Sequence, residues 1–132
     1  MTDVPRATRI GNVAVYVADL ERAERFYVDV LGLHVRARVH APTVEEVILG
    51  AADGSGSALM LAFALDGAPA LPPQGIWKVF VETTDARGLF DRAVAAGAPA
   101  VMEPTELAQY RVTIAMFLDP DGYLVEVGQL PA

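Results

Sequence analysis

The sequence has no cysteine, which removes disulfides, thiolate nucleophiles and cysteine-ligated metals together. Cations are scarce as well: 10 Lys and Arg stand against 17 Asp and Glu, a net charge of −7. These cations are dispersed and do not interleave with aromatic residues, so no nucleic-acid partner is expected. No apolar run approaches the roughly 20 residues of a membrane span, and residues 1–10 lack the apolar core of a signal peptide. Those absences point to a cytoplasmic protein with no membrane partner. Also missing are G-x-S-x-G, a phosphate-binding loop, a Rossmann glycine set and H-E-x-x-H. Nucleophilic hydrolysis, nucleotide binding and zinc proteolysis are therefore without support.

What is present is one domain's length, 132 residues, with 53% hydrophobic and 20% charged residues, as in ordinary globular chains. Residues 10–17 alternate, with Val13, Val15 and Val17 on one face and Asn12, Ala14 and Tyr16 on the other, which predicts a strand. Asp19 then caps a helix in which Leu20, Ala23, Phe26, Tyr27, Val30 and Leu31 recur at helical spacing, and Gly32 ends it. Strand-like runs follow at residues 33–40, 45–50 and 58–65. Residues 66–74, with Gly67, Pro69, Pro72 and Pro73, read as a linker.

After the linker the pattern restarts. Residues 78–83 predict a strand, Thr84 or Asp85 a helix cap, and Gly97 the helix stop. Extended runs return at 98–102, 111–117 and 123–128, with the polar stretch 104–109 as a loop and Asp119-Pro120-Asp121-Gly122 as a turn. The two capping aspartates Asp19 and Asp85 lie 66 positions apart, and the glycine stops 65 apart. Each half thus reads strand, helix, strand, strand, strand. The predicted class is α+β: two βαβββ modules forming a cupped mixed sheet with helices on the outside. Module one covers about residues 8–66 and module two about 75–130 of a single domain.

Two stretches carry a family resemblance. The first runs from Asn12 through Val17-Ala18-Asp19-Leu20-Glu21-Arg22-Ala23 to Phe26-Tyr27 and Val30-Leu31-Gly32-Leu33; the second is Asp119-Pro120-Asp121-Gly122-Tyr123-Leu124-Val125-Glu126. On them the chain resembles the vicinal-oxygen-chelate superfamily, which includes glyoxalases, extradiol dioxygenases and bleomycin-resistance proteins. The resemblance implies four strand positions that hold a divalent ion in metal-dependent members. Here they fall on Asn12, on Met60 or Leu61, on Lys78 or Trp77, and on Glu126. A neutral amide, a thioether and an ammonium do not replace the usual ligands of such an ion. His34 and His40 lie at no ligand position. The expected cofactor is therefore none, and no metal-ligating residue is assigned.

Among the remaining residues, Glu126 in an apolar strand is either a pocket acid or a carboxylate paired with a neighbour. Lys78 is either an edge lysine or, with Glu126, an electrostatic centre in place of the metal. These two are the candidate catalytic residues. Asn12, Tyr16, Met60, Trp77, Phe80 and Met116 are candidate ligand-binding residues, and Tyr110 with Arg111 a candidate rim clamp. Plain core or strand roles are the alternative for each. Two functions remain open. One is a metal-independent protein of the glyoxalase/bleomycin-resistance type, holding a small organic ligand in an apolar cup and forming a homodimer. The other is a glyoxalase-like lyase or isomerase, or a dioxygenase-like enzyme, using Glu126 and Lys78 or a non-classical metal site.

Overall fold

The alternating valines of the first module make β1 (Asn12–Tyr16) in the structure, a computed structural model that describes residues 11–67 and 76–131. Asp19 caps α1 (Leu20–Arg25), its carboxylate accepting from the Arg22 amide. The expected helix does not stay α-helical to Leu31: a π-helical turn occupies Phe26–Val30, with the Leu31 amide donating to the Phe26 carbonyl. Two consecutive aromatics of this wider turn, Phe26 and Tyr27, are both buried in the interior. Strands β2 (His34–His40), β3 (Val44–Gly50) and β4 (Ala58–Ala64) complete the module.

The second module repeats the order. It has β5 (Lys78–Glu82), α2 (Ala86–Ala95) capped by Asp85, and β6 (Ala100–Leu107), β7 (Val112–Leu118) and β8 (Leu124–Gln129). Residues 104–109 are not the expected loop. Strand β6 runs on to Leu107, and a 3-10 turn follows at Ala108–Tyr110. Pro104 is tolerated because β6 is a sheet edge and its register shifts between Met102 and Thr105. Most of the expected linker, and the start of the first expected strand, lie outside the described residues.

Each module forms a four-stranded sheet, in the orders β1-β4-β3-β2 and β5-β8-β7-β6. The first and last strands of each module pair in parallel: Asn12 opposite Ala58 and Ala14 opposite Met60 in one, Lys78 opposite Leu124 and Phe80 opposite Glu126 in the other. The face each residue takes resolves an ambiguity of the sequence. Met60, not Leu61, stands where Glu126 stands, and Lys78, not Trp77, stands where Asn12 stands. Leu61 belongs to the opposite face and is fully buried.

One face of each sheet meets the helices. Val15, Val47, Leu49 and Leu61 from the first sheet join Phe117, Val125 and Val127 from the second in one core cluster with Phe26, Tyr27, Phe90 and Ala93. Burying a side chain of this size is worth about 2 kcal/mol. Polar contacts tie the modules together. The Tyr27 hydroxyl donates to Asp119 at 2.7 Å, the Tyr123 hydroxyl to the Tyr16 carbonyl at 2.8 Å, and the Ala18 amide to Asp121 at 2.8 Å. The other face of each sheet, away from the helices, is the cup.

Candidate functional site

Strand alternation sends Lys78 and Phe80 of β5, Glu126 of β8 and Met116 of β7 to the cup face of the second sheet, with Glu126 directly between Phe80 and Met116. The Lys78 ammonium donates to the Glu126 carboxylate at Oε1. The lysine side chain is 24% exposed and the glutamate 8%. A carboxylate this deep in an apolar strand is costly unless paired, and Lys78 supplies the partner. The ammonium also lies 4.0 Å from the ring centroid of Trp77, a cation–π placement, although the indole is itself 74% exposed. Phe80 owes its position to Gly128: a β-carbon there would come within 2.5 Å of the ring's Cζ.

On the first sheet, Asn12 spends its amide oxygen on the Ala58 amide at 3.2 Å, so it braces the start of β4. Tyr16 and Met60 share the cup face in adjacent rows. The Tyr16 backbone carbonyl is the acceptor for Tyr123. Tyr110 and Arg111 are brought to neither sheet's centre. Tyr110 is 67% exposed. Arg111 adopts a left-handed backbone (φ 56°) and borders a small hollow with Glu106, Gln129 and Pro131. Five residues along β7 separate it from Met116, roughly 16 Å at strand rise.

Two charged residues of the first cup face were not singled out by the sequence. Arg36 sits at a bulge in β2, where the register shifts between Val35 and Ala37, and folds over Gly50 to donate to the carbonyls of Ser55 and Gly56. Glu46 lies in the row of Ala62 and keeps one buried carboxylate oxygen without a donor. A β-bulge leaves no period-two signature, and one Glu in a strand reads as a solvent-facing residue; neither signal was available. His40 pairs with Glu45 at 3.4 Å on exposed strands, and His34 is exposed at the start of β2. Among the described residues, no three His, Cys, Asp or Glu side chains gather where they could share an ion.

A cavity of about 610 Å³ opens beside this centre. Val13, Leu49, Leu59 and the polar turn Ser55-Gly56-Ser57 are among the residues of its wall on the first module, and all five residues of β5, Lys78–Glu82, line it on the second. Consecutive residues point to opposite faces, so the cavity meets β5 edge-on. Both β1 and β5 are outermost in their sheets, and the space lies beside their edges. Of the candidate residues, Lys78 and Phe80 border it directly. Lys78 is thus shared by the cavity wall and the ion pair. Val13, Leu49, Leu59, Val79 and Val81 border it too, although alternation assigns them to the helix-facing side.

The profile of the Glyoxalase/Bleomycin resistance protein/Dioxygenase superfamily matches residues 9–127. No curated protein matches the sequence. Among solved structures, glyoxalase I from Zea mays is 21% identical with a TM-score of 0.79; the match covers 94% of this chain and 45% of the maize chain. The trypanothione-dependent glyoxalase I of Leishmania major is 22% identical with a TM-score of 0.74, covering 92% of this chain and 86% of that one. TnmS3, an antibiotic binding protein from Streptomyces sp. CB03234, is 23% identical with a TM-score of 0.74, covering 97% and 100%. At these identities the likeness speaks for the fold. This chain belongs to the glyoxalase, bleomycin-resistance and dioxygenase superfamily.

Proposed function

We propose that this protein binds a small organic molecule without the aid of a metal ion, a role comparable to that named for TnmS3. One observation carries the reading: Lys78 and Glu126, which the family resemblance sets at two ligand positions, are paired with each other. The donor set does not fit a divalent ion. Of the four positions, Asn12 is engaged with the Ala58 amide, Met60 offers a thioether, Lys78 is itself a cation, and Glu126 already accepts from it. A cation placed there would meet an ammonium where a ligand is needed. The adjoining cavity has the volume and the largely apolar wall of a ligand site.

The same contact occupies only one carboxylate oxygen: Oε1 accepts from Lys78, so a lyase or isomerase would have to take its proton at Oε2. The test is elemental analysis of the purified protein together with thermal melts in chelator and in added divalent ions. Substoichiometric metal and unchanged melts are expected. Near-stoichiometric iron, manganese, nickel or zinc, with a melt that falls in chelator, would overturn the reading.

A further inference from the structure

The charge balance around Lys78 restricts what the cavity can hold, an inference that rests on the ligand-binding reading above. An ammonium has three N–H donors. One goes to Glu126, the ring of Trp77 lies 4.0 Å away, and the same side chain borders the cavity, so Lys78 keeps donor capacity toward a bound molecule. Yet Lys78 has no net charge to give. Its partner carboxylate, only 8% exposed, already balances it. An anionic ligand reaching Lys78 would be attracted by the ammonium and repelled by Glu126 at similar range. It would lose its hydration with little Coulombic return. A cationic ligand would face the ammonium first.

The other lining residues do not alter this balance. Glu82 is the one carboxylate among them and is exposed, where solvent and salt screen it. Val13, Leu49, Leu59, Val79 and Phe80 present apolar surface. We propose that the cavity takes an uncharged, largely apolar molecule that presents a carbonyl oxygen to Lys78. A neutral carbonyl accepts a charge-assisted hydrogen bond without bringing an unbalanced charge into the site, a gain of about tenfold or more in affinity.

A matched set of rigid aromatic probes tests this: fluorenone, fluorene, fluorenecarboxylate and fluorenylammonium. Affinities are measured by calorimetry and by the fluorescence of Trp77, the only tryptophan in the chain. Fluorenone should bind about tenfold more tightly than each of the other three. In Lys78→Met its advantage over fluorene should shrink to within about twofold, the residue left by removing a charge-assisted bond. In Glu126→Gln, which leaves the ammonium unbalanced, preference should pass to the carboxylate. Equal binding of fluorene and fluorenone, or tightest wild-type binding of a charged probe, overturns the inference and leaves the ligand-binding reading standing. If none of the four binds, both fall.

Discussion

Lys78 and Glu126 are each costly alone and tolerable together. Removing one partner of a pair this shielded leaves the other charge without compensation, whereas replacing both with apolar residues removes the desolvation penalty as well. Lys78→Met is therefore expected to destabilise the fold by about 2 kcal/mol, discounted for the lysine's partial exposure. The double variant Lys78→Met/Glu126→Met should fall close to the wild type. Urea denaturation of the two single variants and the double completes the cycle. A double variant that loses as much as Lys78→Met alone would mean the pair is not the source of the effect.

At the scale of elements, small residues decide where large ones go. Gly128 leaves the space that Phe80 occupies, and that placement sets the aromatic wall beside Glu126. Gly128→Ala puts a methyl group 2.5 Å from the ring's Cζ, so the ring must swing away. A loss of about 1–2 kcal/mol is expected from overpacking, read as a lower melting temperature. An unchanged melt would show that Phe80 turns freely. Helix ends follow local rules that the sequence states openly. Asp85 accepts from the Gly88 amide at 2.9 Å, and Asp85→Ala should cost about 1 kcal/mol. The π turn at Phe26–Val30 obeys no such local rule. Its first two residues, Phe26 and Tyr27, are buried, and Phe26 meets Phe117 with ring centroids 6.1 Å apart.

For the whole molecule, the Asp119–Gly122 turn does more than connect β7 to β8. Asp119 accepts from the Tyr27 hydroxyl and from the Asp121 and Tyr123 amides, and Asp121 holds the start of the first module's helix. Burial pushes the Asp119 carboxyl above the usual carboxylate range, against the downward pull of those hydrogen bonds. Burial and the neighbouring carboxylate push the Tyr27 phenol far upward, so it remains a donor. A folded-state pKa raised above the unfolded one favours folding below the unfolded value, about 3.9, and that advantage is lost as pH rises through the folded value. The stability of wild type relative to Asp119→Asn should therefore be greatest below about pH 4 and decline as pH rises toward neutrality, in paired denaturation curves. A difference that grows toward pH 7 would refute this account of the clamp.

Assembly belongs to the same scale. The cup faces carry exposed apolar side chains such as Phe80, at 48% exposure, and the outer strands β1 and β5 are unpaired at their edges among the described residues. We expect a homodimer that covers part of this surface. Light scattering at micromolar concentration should return twice the 14.0 kDa chain mass, and a monomer would count against it.

The sequence by itself determined the order of elements and their repetition, though not the extent of β6 or the π turn. Alternating valines, two capping aspartates 66 positions apart and two glycine stops are local signals, and local signals are what periodicity and capping can express. The family resemblance carried the fold and left the counterpart of Asn12 as Lys78 or Trp77. Tertiary structure alone chose Met60 over Leu61, because one residue of register moves a side chain to the opposite face and only strand pairing fixes that register. It decided between an edge lysine and a pair by bringing Lys78 to Glu126 across 48 positions of chain, and it alone set Arg36 over Gly50 across 14. It also opened the cavity beside β1 and β5. A sequence shows which face of a strand is apolar, but not which edge is left unpaired, because that depends on the order in which strands join the sheet.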